Sequence, residues 1–155
     1  MNLTIREGRP DEVEKLVALR CAMFEAMGTD AEAIEQVSEA SRRYFAEEMP
    51  SGRFRVWVSI DNTGEPIASI GLVVHSVPPG PSNAVGKVGY IMNLVTLPDR
   101  RRQGIAHALL THVLEVLRAE GVPIATLHAS SDGRALYEEL GFELRDEVPE
   151  MVLRL

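Results

Sequence analysis

The chain has 155 residues, of which 45% are hydrophobic and 25% charged, a composition typical of a folded globular protein and not of a disordered one. Its 16 basic and 23 acidic side chains give a net charge of −7, which argues against nucleic acid or an anionic membrane as the main partner. The length predicts a single domain over residues 1–155 that is large enough to bury a core without disulfides or metals. Cys21 is the only cysteine, so no internal disulfide can form.

The compartment is predicted from the N-terminal sequence and the cysteine count. No charged-then-apolar leader opens the sequence, and no apolar run reaches the roughly 20 residues that span a bilayer. A single cysteine fits a reducing compartment, so we expect a cytoplasmic protein. Cys21 itself lies in the apolar stretch LVALRCAMFEAM, where a buried small side chain is expected rather than a nucleophile.

The first half of the chain predicts one strand, two helices and a hairpin. Strands are indicated by alternating or continuous apolar residues, and helices by apolar spacing between capping residues. The predicted elements are a strand from Asn2 to Arg6, helices from Pro10 to Gly28 and from Asp30 to Glu48, and strands from Phe54 to Ile60 and from Ile67 to His75. By parity, Trp57 faces away from Phe54 and Val56, which predicts that it packs under a helix.

The second half predicts strands alternating with helices. Val88 to Leu97 is a nearly continuous apolar run, as in a strand covered on both faces. The remaining predicted elements are a helix from Arg102 to Glu120, a strand from Val122 to His128, a short helix capped by Ser131 or Asp132 and ending at Leu140, and final strands at Phe142–Leu144 and Met151–Leu155. This order predicts an α/β fold with one mixed sheet and helices on its faces.

The stretch TLPDRRRQGIAHALL places three arginines at a strand–loop–helix junction. A helix N-terminus presents unpaired backbone N–H groups and a partial positive charge, which together bind phosphate. Gly104 lacks a Cβ that would block close approach, and arginine adds forked donors suited to phosphate oxygens. The junction therefore predicts a pyrophosphate cradle, and the alternative is an ordinary solvated charge run.

Two patches of the sequence, Arg101 to Ala106 and Ala135 to Phe142, together resemble the GNAT family of N-acetyltransferases. Arg101 to Ala106 (RRQGIA) matches the family signature R/Q-x-x-G-x-G/A, and Ala135 to Phe142 (ALYEELGF) resembles its ALYxxLGF block. The patches occur in the family's order, with a strand between them. The resemblance implies an α/β fold whose central sheet is mixed and mostly antiparallel, with splayed middle strands and helices on both faces.

The resemblance also implies that acetyl-CoA binds between the splayed strands. The first splayed strand corresponds to Val88–Thr96, whose backbone is expected to hydrogen-bond the pantetheine arm and the acetyl carbonyl. The residues implied to bind the cofactor are Leu94, Val95 and Thr96 on this strand, Arg101, Arg102, Gln103, Gly104, Ile105, Ala106 and His107 around the pyrophosphate, and Ser130 on the pantetheine arm. Ser130 stands where the family often has asparagine, which is a departure from the family pattern.

Tyr137 takes the place of the family tyrosine that acts as general acid, so by resemblance it protonates the leaving CoA thiolate. The chemistry agrees with this role, because a neutral amine attacks the thioester, negative charge grows on the carbonyl oxygen, and the thiolate then needs a proton. The alternative role for Tyr137 is packing against the rest of the protein.

The general base is not identified by the sequence. Many GNAT members carry a glutamate on the strand equivalent to Val88–Thr96, but this chain has no carboxylate there. The candidates are three carboxylates on the early helices, one strand-end histidine, or bulk water, and the residues concerned are Glu25, Asp30, Glu35 and His75. No pair of histidines has metal-ligand spacing with supporting carboxylates, so we expect no metal.

The sequence therefore predicts an N-acetyltransferase that moves an acetyl group from acetyl-CoA to a primary amine by direct attack in a ternary complex. An acetyl-enzyme is disfavoured because Cys21, the only thiol, lies far from the motif in sequence. The alternatives are an acyl-CoA-binding sensor of the same fold with little or no catalysis, and an acidic interaction module without a cofactor.

The predicted partner is an amine acceptor, either a small molecule or a peptide, with no nucleic acid and no membrane. In GNAT-like folds the first two helices and their connection wall the acceptor site, and by resemblance this segment runs here from Arg20 to Glu48. Its acidic residues either attract an amine cation or form a solvated helix face. Edge pairing by Met151–Leu155 offers a route to a homodimer.

Overall fold

The computed structural model describes residues 3–155. Its strands are β1 (Thr4–Glu7), β2 (Arg55–Ile60), β3 (Pro66–Ser76), β4 (Lys87–Thr96) and β5 (Ile124–Thr126). Its helices are α1 (Val13–Ala26), α2 (Ala31–Glu48), α3 (Ile105–Ala119) and α4 (Arg134–Glu139). Short 3-10 turns at Pro10–Glu12 and Pro98–Arg100 precede α1 and α3. Asp30 caps α2 as predicted, since its carboxylate accepts the Ala33 N–H at 3.0 Å.

The five strands form one sheet in the order β1-β2-β3-β4-β5. All neighbouring pairs are antiparallel except β4 and β5, which are parallel. The helices α1 and α2 cover one face of this sheet and α3 covers the other. The predicted mixed, mostly antiparallel sheet with helices on both faces is therefore confirmed.

The strands β4 and β5 separate after a short paired stretch. Their register runs only from Val88 opposite Ile124 to Tyr90 opposite Thr126. Since β4 continues to Thr96, the second half of this strand has no neighbour on its β5 side in the part of the chain that the structure describes. This is the splay that the resemblance implied.

A bulge lies in β4 at the level of the splay. Ser69 pairs with Val95 and Gly71 with Met92, so two residues of β4 oppose one residue of β3. Asn93 lies in this bulge with φ of 54°, in the left-handed region that asparagine tolerates better than most residues. A bulge bends its strand and redirects backbone groups, and here it does so beside the open edge.

The core consists of two layers, one on each face of the sheet. Leu109, Leu110 and Val113 of α3 are fully buried in one layer together with Trp57. Val56 and Val58 point into the other layer, against α1 and α2. The predicted alternation along β2 and the packing of Trp57 under a helix are both confirmed.

Close approach of α3 to β4 depends on Gly89. A Cβ built at this position would lie 2.7 Å from Leu117 Cδ2, nearer than real side chains approach. The glycine therefore lets Leu117 sit directly on the backbone of β4.

The C-terminal strands predicted at Phe142–Leu144 and Met151–Leu155 are wrong, because neither segment forms a strand. Phe142 packs against Tyr137 and the core instead. Pro149 has no N–H to give to a ladder, and Met151–Leu155 is exposed along its length. Alternation predicts a strand only where a partner edge is available, and none pairs with these residues within residues 3–155.

The predicted first strand began at Asn2, which lies outside the described residues, and the rest of it corresponds to β1. Within residues 3–155, no helix combines the length and apolarity needed to cross a bilayer.

Candidate active site

The loop between β4 and α3 presents a run of free backbone donors. The N–H groups of Arg100 and Arg101 are satisfied by the carbonyls of Leu97 and Pro98. The N–H groups from Arg102 to His107, in contrast, have no acceptor within residues 3–155, and the first bond of α3 runs from Ala108 to Gly104. Consecutive unpaired N–H groups at a helix N-terminus form a ready anion site.

Two left-handed residues shape this loop. Arg102 has φ of 59°, and Gly104, at the cap position of α3, has φ of 76°. Left-handed conformations beside right-handed ones curl the backbone so that successive N–H groups converge. No protein atom lies within 4 Å of a Cβ built at Gly104, so within the protein the glycine is required by its backbone angle and not by a close neighbour.

The three arginines have different partners. Arg100 contacts Asp99 at 3.4 Å and reaches Asp61 at 4.0 Å, so it ties the loop to the β2–β3 turn. Arg101 donates from Nε to the carbonyl of Thr96 at 3.2 Å, which fixes the loop to the end of β4. Arg102 makes no ion pair or side-chain hydrogen bond with any residue from 3 to 155 and is exposed. Arg102 is therefore the arginine most available to an anion.

The open edge of β4 leads into this loop. The Leu97 N–H donates to the carbonyl of Ile67 at 3.0 Å, so backbone groups at this position face β3. Because backbone direction alternates along a strand, Val95 also faces β3, whereas the Thr96 peptide groups face the open side. The Arg101 contact to the Thr96 carbonyl lies on that side. Leu94 follows Asn93 in the bulge. Thr96 thus presents its backbone at the open edge beside the loop, whereas the predicted contact residue Val95 has its backbone turned toward β3.

Tyr137 lies on α4 and is half-buried. Its ring packs edge-on against Phe142 with centroids 6.0 Å apart. Burial raises the pKa of Tyr137 above its ordinary value of 10.0, so the hydroxyl stays protonated at neutral pH. This hydroxyl has no hydrogen-bond partner within residues 3–155, which leaves its proton available to a ligand.

Ser130 has a structural role that the sequence did not predict. Its Oγ accepts the N–H of Gly133 at 3.2 Å, and its carbonyl accepts the N–H of Arg134 at 3.1 Å. Ser130 therefore closes the turn that leads into α4, whose N-cap position is Gly133 with no side-chain cap bond, so the predicted cap at Ser131 or Asp132 is wrong.

The four candidate bases lie in different parts of the structure, except for two glutamates that share a pocket. Glu25 and Glu35 line the same pocket, about 450 Å³ in volume, between the C-terminal end of α1 and the N-terminal part of α2. Asp30 is engaged in capping α2, and His75 is exposed beside the paired half of β4.

Cys21 packs against the core but is only half-buried and also lines this same pocket, so the expected burial of its side chain is incomplete. The residue falls at the edge of the apolar face of α1, where helix rotation leaves it partly uncovered.

Two side-chain clusters were missed by sequence reasoning. Arg20 of α1 donates to Ser41 of α2 and to Asn93 in the β4 bulge. The available signal was a charged residue on an otherwise apolar helical stripe. His128 accepts or donates at both ring nitrogens, to the Tyr90 hydroxyl at 3.0 Å and to Glu150 at 2.8 Å. No sequence signal points to this second cluster, because it depends on strand register.

Comparison with known proteins decides which family this arrangement represents. The profile of the acetyltransferase (GNAT) family matches residues 16–142, which is most of the chain. The chain belongs to the GNAT acetyltransferase family. A comparison with curated proteins finds no match.

Solved structures share this GNAT fold over nearly the whole chain. A GCN5-related N-acetyltransferase from Ralstonia eutropha JMP134 is 31% identical, with a TM-score of 0.86 over 97% of this chain and 99% of that one. A predicted acetyltransferase from Clostridium acetobutylicum, solved with acetyl-CoA, is 25% identical, with a TM-score of 0.87 over 97% and 96%. Glucosamine-6-phosphate N-acetyltransferase from Arabidopsis thaliana shares the fold, at 17% identity and a TM-score of 0.73 over 99% of each chain.

Proposed function

We propose that this GNAT protein transfers an acetyl group from acetyl-CoA to the nitrogen of a primary amine by direct attack in a ternary complex. The observation that carries the proposal is the run of free N–H donors from Arg102 to His107 at the end of the open edge of β4. If the pyrophosphate of acetyl-CoA binds at this loop, its pantetheine arm would extend along β4 toward the bulge. The relative from Clostridium acetobutylicum that was solved with acetyl-CoA supports the choice of donor.

The chemistry requires a site for negative charge and a source for one proton. The amine nitrogen forms a bond to the thioester carbon while the carbonyl oxygen becomes an oxyanion, which backbone N–H groups of β4 near the bulge would stabilise. The C–S bond then breaks, and the thiolate takes a proton from the Tyr137 hydroxyl. The proton lost from the amine passes to solvent or to a carboxylate. The candidate carboxylates are Glu25 and Glu35, which line the same pocket.

A half-buried Cys21 beside that pocket makes the acetyl-enzyme route a real alternative. We propose direct attack because Cys21 lies on α1 and not on the open edge of β4. Mass spectrometry of the protein trapped with acetyl-CoA tests this choice, since an acetyl group on Cys21 would contradict it.

The rival function is an acyl-CoA sensor with the same cradle and little catalysis. It is favoured by the absence of any carboxylate from Lys87 to Thr96 and by the engagement of Ser130 Oγ with the Gly133 N–H in the turn before α4. A Tyr137→Phe variant separates the two. For the enzyme we expect acetyl-CoA affinity within about twofold of wild type and a fall in kcat of about a hundredfold or more.

The cradle is tested by calorimetric titration of acetyl-CoA into wild-type protein and two variants. Arg102→Asn removes the free guanidinium while keeping a residue that tolerates the positive φ. Arg118→Gln removes an exposed charge at the far end of α3 as the matched control. Loss of a charge-assisted contact predicts about tenfold weaker binding for the first variant and no change for the second. Absence of binding by folded wild-type protein would overturn the proposal.

A further inference from the structure

Arg20 connects three elements beside the proposed site. From α1, its Nε donates to Ser41 Oγ of α2 at 3.1 Å, and its Nη1 donates to Asn93 Oδ1 in the bulge of β4. The guanidinium also lies over the ring of Phe24, 4.8 Å from its centroid. The position of this charge is therefore fixed relative to the bulge.

No carboxylate balances this charge. The half-buried Arg6 and Arg55 have carboxylates at 2.6 Å, but Arg20 has none within ion-pair distance among residues 3–155. Burial lowers the pKa of Arg20 below its ordinary value. A guanidinium removed from water without a counter-ion is costly, so a fixed and unpaired cation of this kind indicates an anionic ligand.

Donors remain for such a ligand. Arg20 uses Nε and one bond from Nη1, while Nη2 makes no hydrogen bond with residues 3–155. Nη2 is also not among the sealed, unpartnered atoms of the described chain, so it reaches solvent. A planar guanidinium with free N–H groups matches the two oxygens of a carboxylate.

The surroundings of Arg20 place that ligand beside the proposed chemistry. Asn93 lies one residue before Leu94, at the start of the open edge of β4 where we expect the acetyl group to bind. Cys21, the next residue after Arg20, lines the pocket of about 450 Å³ that also contains Glu25. Arg20 itself does not line that pocket, and together with Asn93 it lines a smaller cavity of about 10 Å³ between α1 and the sheet. A molecule whose anion rests on Arg20 would therefore lie beside the bulge.

We propose that Arg20 binds the carboxylate of the acceptor, so that the substrate is an α-amino acid. In an α-amino acid the amine and the carboxylate share one carbon, and an anchored carboxylate holds the nitrogen close to β4. This inference rests on the proposed acetyl transfer and names the acceptor class for the same site.

The test uses the proteinogenic L-amino acids, each compared with its C-terminal amide, on the purified full chain. Binding is measured by calorimetry in the presence of CoA, and acetylation by release of CoA from acetyl-CoA. The variants are Arg20→Gln and Arg20→Lys, with Arg42→Gln as the control because Arg42 is an exposed arginine on α2 paired with Glu14. Thermal unfolding checks that each variant is folded.

We expect wild type to bind at least one amino acid about tenfold or more tightly than its amide. Arg20→Gln should abolish this preference, raising KM for the acid while leaving KM for the amide and the Kd of acetyl-CoA within about twofold. Arg20→Lys should retain part of the preference, since it keeps the charge but loses the fork. Arg42→Gln should behave as wild type.

Two results would overturn the inference. One is equal binding of acids and amides by wild type, and the other is an equal loss of kcat for both substrates in Arg20→Gln, which would make Arg20 only a brace for the bulge. Because amino-acid binding is measured separately from turnover, a sensor without catalysis would still give a clear answer. Failure of acetyl-CoA to bind at all would instead contradict the proposed function.

Discussion

Glu12 lies at the junction of β1 and α1, buried to 4% exposure between two arginines. Its carboxylate accepts two hydrogen bonds from Arg6, at 2.6 and 2.8 Å, and one from the Arg9 N–H at 3.0 Å. The Arg6 guanidinium, more than any other group, holds the pKa of Glu12 at about 2, below its ordinary 4.5. Such a carboxylate stabilises the fold only when it is ionised.

This gives a prediction for acid stability. Because the folded pKa is depressed, the contribution is full above about pH 5 and is lost as pH falls toward 2, and it amounts to about 3 kcal/mol at most. Glu12→Gln should therefore lower the free energy of unfolding at pH 7, and the gap to wild type should close by about pH 2. Glu14→Gln, on the exposed face of α1, should change stability by less than about 0.5 kcal/mol. Urea denaturation at several pH values measures both, and parallel curves for Glu12→Gln would contradict the assignment.

Single residues were the least predictable part of this site. The cradle glycine and Tyr137 were predicted from motifs, since local sequence carries their roles. The contacts of Arg20 and Cys21 were not predicted, because they are made with residues of α2 and β4 that are distant in the sequence. Contacts between residues distant in the chain depend on helix rotation and strand register, which periodicity alone does not define.

Among the elements, α4 positions the candidate acid through one glycine. Gly133 has an ordinary right-handed backbone, with φ of −88°, so alanine fits the conformation. However, a Cβ there would lie 2.8 Å from Cε2 and 3.0 Å from the hydroxyl of Tyr137. An added methyl group must therefore move the tyrosine ring.

Gly133→Ala should consequently reduce kcat by about tenfold or more while leaving the Kd of acetyl-CoA within about twofold, because small displacements of a catalytic group are costly. Arg134→Ala, which removes only an exposed ion pair with Glu138 in the same helix, is the control and should change kcat little. Steady-state kinetics and calorimetry distinguish the variants. Unchanged kcat in folded Gly133→Ala would argue that the position of Tyr137 does not matter to turnover.

Long elements with strong periodicity were predicted well, and short ones poorly. The helix α3 and strand β4 begin and end near the predicted residues, because burial on defined faces gives them clear patterns. The strand predicted at Val122–His128 is confined to Ile124–Thr126, where β4 still pairs with it. The strand ends early because β4 and β5 separate at this point. This separation depends on how the two strands pair, so the sequence of either segment alone does not predict it.

At the scale of the whole molecule, opposing electrostatic effects act on an anionic ligand. The net charge of −7 would repel acetyl-CoA at long range, whereas Arg101 and Arg102 would attract it at the proposed cradle. At a contact distance near 4 Å and an effective dielectric of about 20, one ion pair amounts to about 4 kcal/mol before desolvation. Charges beyond the Debye length of about 10 Å at 0.1 M salt are largely screened. The local attraction should therefore dominate.

This balance predicts that acetyl-CoA binding weakens with salt, despite the acidity of the protein. Between about 0.05 and 0.5 M NaCl we expect the Kd to rise several-fold, since added ions compete at the cradle more than they relieve long-range repulsion. Arg102→Asn should show a shallower dependence, because one of the competing contacts is already gone, whereas Arg118→Gln should follow wild type. The measurement is calorimetry across the salt series. An affinity that increases with salt would mean that net repulsion governs binding, and the phosphates would then have to lie somewhere other than the loop from Arg102 to His107.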